Sequence, residues 1–311
     1  MTTSARHWAS LGENTFVAGM WLLWGVYRVF GRALFRVCLV PVVLWYWAAT
    51  PMARSASLQY LQRVQATCGA IGHAPGWRDT LRHFRSFAET LLDKMLAISG
   101  CYPFESVRCE GRDVVTRALA TGRGAMIVTA HVGCLELCRA LIDHDGGLAL
   151  TVLVHTAHAE RFNRILQRLD PGSRVRLMQV SEVNAATALV LSDCVERGEL
   201  VAIVGDRVPL HPSKTTTLPF LGVDAALPVG AYVLAALLHC PLFFMACVRE
   251  AGGHVVVFES LADSVELVRG RRDQVLREVA QRYVRSLEGI VCRAPFEWFN
   301  FFPFWDQGKT R

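Results

Sequence analysis

The run "GAMIVTAHVGCLEL" (124–137) places a histidine, His131, at the end of a strongly apolar stretch and a glutamate, Glu136, five residues further on. An imidazole held by a carboxylate is a general base, because the carboxylate fixes one ring proton and leaves the other nitrogen with a lone pair. A glutamate in the first turn of a helix reaches back to the residue just before that helix. The spacing therefore predicts a hydrogen bond from the His131 ring to Glu136. Such a base draws the proton from a hydroxyl as its oxygen attacks a thioester carbonyl. The helix amino end near Val132 to Cys134 is predicted to offer unpaired N–H groups and partial positive charge to an oxyanion or a phosphate.

The spacing alone is weak. It occurs at His131/Glu136, His155/Glu160 and His254/Glu259, whereas ten histidines and 27 acids in 311 residues give about one such pair by chance. Context separates the three. His254 follows "AGG" at a predicted hairpin, and a charged segment follows His155. His131 alone leaves a buried strand, passes Gly133 and meets its glutamate in an apolar helix. A buried histidine satisfied by a carboxylate is the competing structural explanation.

Other chemistries lack their residues. There is no G-x-S-x-G elbow for an acyl-serine, no P-loop and no G-x-G-x-x-G. "HTAHAE" (155–160) has a His-x-x-His spacing without a third ligand, and Cys134 and Cys138 beside His131 read as core residues, so no metal is expected. Ten cysteines without any C-x-x-C imply neither a zinc ribbon nor a disulfide framework, and free thiols are expected.

The elements that must carry these residues alternate. "VVTRALATGRG" and "ATALVLSDCVERGE" read as helices running into turns. Each precedes a short apolar run, "AMIVTA" ending at His131 and "LVAIVG" ending at Asp206-Arg207. "LALTVLV" ends at His155 and "PLFFMACV" at Arg249. Apolar runs alternating with helices predict an α/β fold with a mostly parallel central sheet flanked by helices. Ligands of such sheets lie beyond the carboxyl ends of the strands, so His131, His155, Asp206 and Arg207 are expected at one rim. "LRHFRSFAETLLDKMLAI" spaces Leu81, Phe84, Phe87, Leu91, Met95 and Ile98 as a core-facing helix.

The front of the chain differs. Composition is 52% hydrophobic and 19% charged, with mean hydropathy +0.28, apolar enough to suggest membrane contact. Of the formal charge of +6, most lies in the first 63 residues, where six arginines face only Glu13. A nucleic-acid binder spreads such charge over its folded body, so no nucleic-acid partner is expected. Two apolar stretches, 15–27 and 37–50, flank Arg28, Arg32 and Arg36, and four of the eight tryptophans fall between Trp21 and Trp47. This predicts an N-terminal membrane anchor or interfacial helical segment over 1–52, with its arginines at anionic lipid headgroups. "TPMARSAS" (50–57) reads as a linker to a catalytic domain over 53–311.

Three segments, "IVTAHVGCLEL", "RGELVAIVGDRV" and "LPFLGVDAALPVGAYVLAALLHCPL", together with the apolar front end, resemble the lysophospholipid acyltransferase superfamily. The similarity runs from about Trp21 to Trp305 and is greatest to the branch of late acyltransferases of lipid A biosynthesis. It implies a glycerolipid acyltransferase-like fold at the cytoplasmic face of a bacterial inner membrane. It also implies a His131–Glu136 dyad that moves acyl from acyl carrier protein or coenzyme A to a hydroxyl or amine of a lipid. The thioester is a co-substrate, and no resident cofactor is implied. Asp206, Arg207, His155 and Lys214 are the implied substrate contacts, and Gly222 and Gly230 are expected at a strand-to-helix turn. "GDRV" and "LVHT" depart from the lipid A pattern, which leaves the acceptor open among lipid A-like, glycolipid and specialised lipids. A non-catalytic lipid-binding protein of the same fold and a thioesterase are the other functional readings.

Overall fold

The computed structural model describes residues 13–138, 149–154, 175–179, 185–209, 214–251 and 253–307. Among the described residues, nine strands fall into a seven-stranded sheet and a separate hairpin. The sheet comprises β1 (Arg108–Glu110), β2 (Ala125–Thr129), β3 (Leu150–Val154), β4 (Val175–Gln179), β5 (Leu200–Val204), β8 (Leu242–Glu250) and β9 (Gly253–Ala262), in the order β1-β9-β8-β2-β5-β3-β4. Every neighbouring pair is parallel except β8 and β9, which the turn before His254 joins as an antiparallel hairpin. The mostly parallel α/β sheet expected from the apolar runs is present.

Each central strand is apolar on both sides because both faces are covered. In β2, Met126 and Val128 join a core built with α2 (Pro51–Cys68), α5 (Ala185–Glu196), α6 (Gly230–Leu238) and α7 (Arg272–Arg293). Its alternate residues Ala125 and Ile127 face α1 (Glu13–Ala49), α3 (Trp77–Ile98) and α4 (Arg112–Leu119). Period-two alternation thus feeds two cores at once. β6 (Thr215–Phe220) and β7 (Val223–Pro228) form the hairpin. Gly222 sits in its two-residue turn at φ 76 after Leu221 at φ 49, a turn for which glycine is suited. Only Gly230 begins a helix, so the expected role of Gly222 is corrected.

Three further expectations are revised. The 50–57 stretch is not a linker: Pro51 opens α2 at its first position, where its fixed φ suits a helix. Cys68 and Cys292 are joined as a disulfide, 224 residues apart, a pairing that no local spacing signals. In α3 the polar residues Thr80, His83, Glu89 and Asp93 are buried, while Leu81, Phe84, Phe87 and Leu91 are only half-buried.

That reversal explains the front end. α1 breaks at Gly31, with φ 73, and Trp24–Ala49 is long and apolar enough to cross a membrane, by length and composition only. One stripe of its second half, Phe35, Leu39 and Val43, is buried against α3 and the sheet. Val37, Val40, Leu44 and Trp45 are exposed on other sides. Two of the arginines expected at headgroups stay exposed while pairing with acids of α3: Arg32 pairs with Asp93, and Arg36 lies 3.3 Å from Glu89. Arg249, at the end of β8, binds the same two carboxylates. Buried acids on α3 need paired charge, and α1 and β8 supply it.

Candidate active site

The position of His131 is set by the strands around it. Thr129 ends β2 with its hydroxyl donating to the Met245 carbonyl at 2.7 Å, while its own carbonyl accepts from Gly205 N–H and the Tyr283 hydroxyl. Beyond the sheet, residues 131–134 run between the end of β8 and the segment 297–299. Phe299 N–H donates to the His131 carbonyl at 2.9 Å, and Gly133 N–H to the Glu297 carbonyl at 2.8 Å. Gly133 has φ +54, and a Cβ there would lie 1.7 Å from the Cys247 carbonyl oxygen. Only glycine fits this turn.

These contacts also correct the expected oxyanion cradle. The amides of Val132, Gly133 and Cys134 donate to the carbonyls of Ala130, Glu297 and Cys247 at 2.7, 2.8 and 3.0 Å. They are spent on holding the turn.

The imidazole is held by Asp206, which follows β5. Nδ1 of His131 lies 2.8 Å from Asp206 Oδ1, and the His131 backbone N–H donates to Oδ2 at 3.1 Å. Trp298 Nε1–H donates to Oδ2 at 3.0 Å. Asp206 is 1% exposed, so both its oxygens are committed to these donors. It was expected to meet substrate, and its position behind the ring corrects that expectation. Burial pushes its carboxyl upward, but His131, Arg207 and the Trp298 N–H outweigh it and hold the pKa well below the usual value. Burial, then Arg207, push the His131 ring below 6.5, with Asp206 partly offsetting them. The ring is accordingly neutral at pH 7, with its proton on Nδ1 facing the carboxylate. Nε2 keeps the lone pair and has no hydrogen-bond partner among the described residues.

The predicted hydrogen bond between His131 and Glu136 is not formed. Glu136 lies in the first turn beginning at 135, and its Oε1 pairs with Lys94 Nζ of α3 at 3.2 Å. Its Oε2 is buried without a partner among the described residues. The helix start directs the carboxylate across to α3 rather than back to the ring. Lys94, held charged by Glu136 despite burial, also acts on His131 through its field.

The other expected contacts separate. Arg207 follows Asp206, donates to the Phe299 carbonyl at 3.2 Å and lies 5.2 Å from the Phe302 ring centroid. Lys214 precedes β6 and pairs with Asp273 of α7 in an exposed ion pair. His155 lies outside the described residues. Lys94 and Trp298 were not anticipated. A signal existed for Lys94, one of only three lysines, which interrupts the apolar stripe of α3 between Leu91 and Ile98. Within "PFEWFNFFPFW", Phe296, Trp298, Phe304 and Trp305 are buried in the core.

Fold and site together describe an α/β protein that presents, beyond the carboxyl ends of the two central strands β2 and β5, a histidine–carboxylate pair suited to proton transfer. The sequence family described as bacterial lipid A biosynthesis acyltransferase matches residues 89–307, from Glu89 in α3 to the residues just past Trp305. The chain belongs to this family and is an acyltransferase, with an acyl donor and a lipid acceptor as its substrates. No curated protein matches it.

Proposed function

We propose that this acyltransferase moves a fatty acyl group from an acyl carrier protein or coenzyme A thioester to a hydroxyl or amine of a lipid, with His131 as general base. The single observation that carries the mechanism is the His131 Nδ1 contact to buried Asp206, which turns the Nε2 lone pair outward. Nε2 takes the proton from the acceptor hydroxyl as the oxygen attacks the thioester carbon. The imidazolium formed is stabilised by Asp206 and returns the proton to the departing thiolate. Glu136 serves the site through Lys94, and Arg207 lies beside the pair as a contact for anionic groups of donor or acceptor.

Residues 53–311 form the acyltransferase body in this proposal, and 1–52 the membrane-facing segment. Phe35, Leu39 and Val43 fix α1 to the body, which supports its lying along the cytoplasmic face of the inner membrane with Val37, Val40, Leu44 and Trp45 toward anionic lipid. Lipid A-like, glycolipid and specialised acceptors all fit.

The test is mass spectrometry of lipids incubated with the purified protein and a long-chain acyl thioester. Wild type yields an acylated lipid, and His131→Ala loses about 10²–10⁴ in rate while remaining folded. Full turnover in that variant contradicts the mechanism. Thioester consumption without acylated lipid indicates a thioesterase, and no consumption indicates a lipid-binding protein.

A further inference from the structure

Cys68 and Cys292 are joined, while the other eight cysteines are free thiols. The Cα atoms of the pair are 6.1 Å apart, a span that a disulfide bridges. At the cytoplasmic face proposed above, glutathione and thioredoxin keep thiols reduced, and a disulfide in that compartment serves as a reversible redox site rather than a permanent staple. The surroundings of the pair agree with this. Cys68 is exposed and Cys292 half-buried, so a small thiol or disulfide reaches them. Cys134, Cys138, Cys194, Cys240 and Cys247 are sealed in the core, and Cys101, also exposed, has no cysteine partner.

The bond joins the two helices that hold Trp298. Cys68 is the last residue of α2, and Cys292 lies in the last turn of α7. Earlier on α2 the Tyr60 ring packs edge-on against the Trp298 ring, with centroids 4.9 Å apart, and Arg63 lies over the Trp305 ring at 4.2 Å. After Cys292 the chain leaves α7 and runs to Trp298, whose indole N–H donates to Asp206 Oδ2 at 3.0 Å. Its neighbours hold the histidine turn: the Glu297 carbonyl accepts from Gly133 N–H, and Phe299 N–H donates to the His131 carbonyl. The disulfide thus fastens the helix packed on the Trp298 ring to the helix that delivers the Trp298 backbone.

We propose that Cys68 and Cys292 are a reversible thiol–disulfide site that adjusts acyl transfer through Trp298, the disulfide state being the more active. The proposal rests on the acyl-transfer reading above and on its cytoplasmic location. The co-reactant is a low-molecular-weight disulfide of the glutathione class. The exposed Cys68 thiolate attacks one sulfur of that disulfide, a mixed disulfide forms, and the first glutathione leaves as a thiolate. The Cys292 thiolate then attacks the Cys68 sulfur and expels the second. The protein dithiol gives up two electrons and two protons, and one glutathione disulfide becomes two thiols. Reduced glutathione in excess runs the same steps backward.

The test equilibrates the full-length protein in detergent micelles with mixtures of reduced and oxidised glutathione. A gel shift with a thiol-reactive polyethylene glycol, backed by peptide mass spectrometry, reads the state of the pair. Hydrogen–deuterium exchange of residues 294–300 reads its reach, and kcat and KM with a long-chain acyl-coenzyme A and a lipid acceptor read its effect. The pair is expected to interconvert in the folded protein, with exchange at 294–300 faster in the dithiol state. Because small misplacements of a catalytic group are costly, kcat is expected to fall about tenfold on reduction with KM changed less than about threefold. Cys68→Ser and Cys292→Ser should show the lower kcat in every mixture and ignore dithiothreitol. A pair that dithiothreitol leaves intact in the folded protein, or that oxidised glutathione does not re-form, overturns the proposal. Equal kcat in the two states overturns it too, as does a Cys68→Ser variant that still responds to dithiothreitol, because another thiol is then responsible. The wild-type comparison needs no substitution, so a serine variant that fails to fold leaves it decisive. If neither state turns over substrate while exchange at 294–300 still follows the pair, the acyl-transfer reading fails and the coupling stands. If exchange there does not follow the pair, the coupling falls whatever the turnover.

Discussion

Asp206→Asn is the sharpest perturbation of this site. The carboxylate accepts three hydrogen bonds, from the His131 ring, the His131 amide and Trp298. An asparagine side chain offers one carbonyl oxygen and one amide group. With its oxygen toward the His131 amide and Trp298, it keeps two of the three bonds and sets its own N–H₂ against Nδ1. The ring proton then moves to Nε2, and the base loses the lone pair it needs. The opposite orientation keeps one bond and opposes two donors, so the first is favoured. Loss of the correct tautomer lowers kcat by about 10³–10⁴, or roughly 4–5.5 kcal/mol of barrier. Asp206 also raises the His131 pKa, so its removal shifts any residual acidic limb to lower pH. Steady-state kinetics from pH 5 to 8, with circular dichroism to verify folding, reads both effects. A folded Asp206→Asn variant with kcat within about fivefold of wild type would refute the claim that this carboxylate sets the ring.

Because Asp206 titrates below its unfolded value, its contribution to stability is present above about pH 4 and is lost as the pH falls through the folded value. Urea midpoints should therefore drop more steeply on acidification in wild type than in Asp206→Asn, and parallel curves would contradict the assignment. Gly133→Ala forces a Cβ onto the Cys247 carbonyl oxygen at positive φ, and should lower stability by about 3 kcal/mol or more, read by urea unfolding. An unchanged midpoint would mean that the turn is not held as described. Replacing exposed Val37 and Trp45 of α1 with glutamate should reduce co-sedimentation with anionic vesicles at least tenfold without changing the melting temperature, since each side chain transfers about 1.5–3 kcal/mol of apolar surface. Undiminished sedimentation would place the membrane contact elsewhere.

The elements were legible where periodicity was strong. The runs ending at His131 and Asp206 are strands, and the two residues meet because β2 and β5 are parallel neighbours. Which carboxylate holds the ring was not legible. Glu136 is near in sequence, whereas Asp206 is 75 residues away and reaches His131 through strand order, which spacing does not encode. The glycine at 205 is part of that geometry, since a Cβ there would lie 2.5 Å from Val128 Cγ1. Trp298 lies in the aromatic stretch "PFEWFNFFPFW", and its indole N–H toward Asp206 depends on a return of the chain that no local pattern reveals. The arginines of α1 were read as lipid contacts because the acids that bind them, Glu89 and Asp93, lie on another helix and look like its solvated face.

The central claim is that a neutral imidazole, protonated toward Asp206, presents Nε2 to substrate. ¹⁵N NMR of protein labelled at the histidine ring nitrogens, assigned by loss of the signal in His131→Ala, measures this directly at pH 7. A protonated Nδ1 and an unprotonated Nε2 for His131 are predicted, with the two exchanged in Asp206→Asn. A proton on Nε2 in the wild-type protein, or a doubly protonated ring at pH 7, would contradict the account.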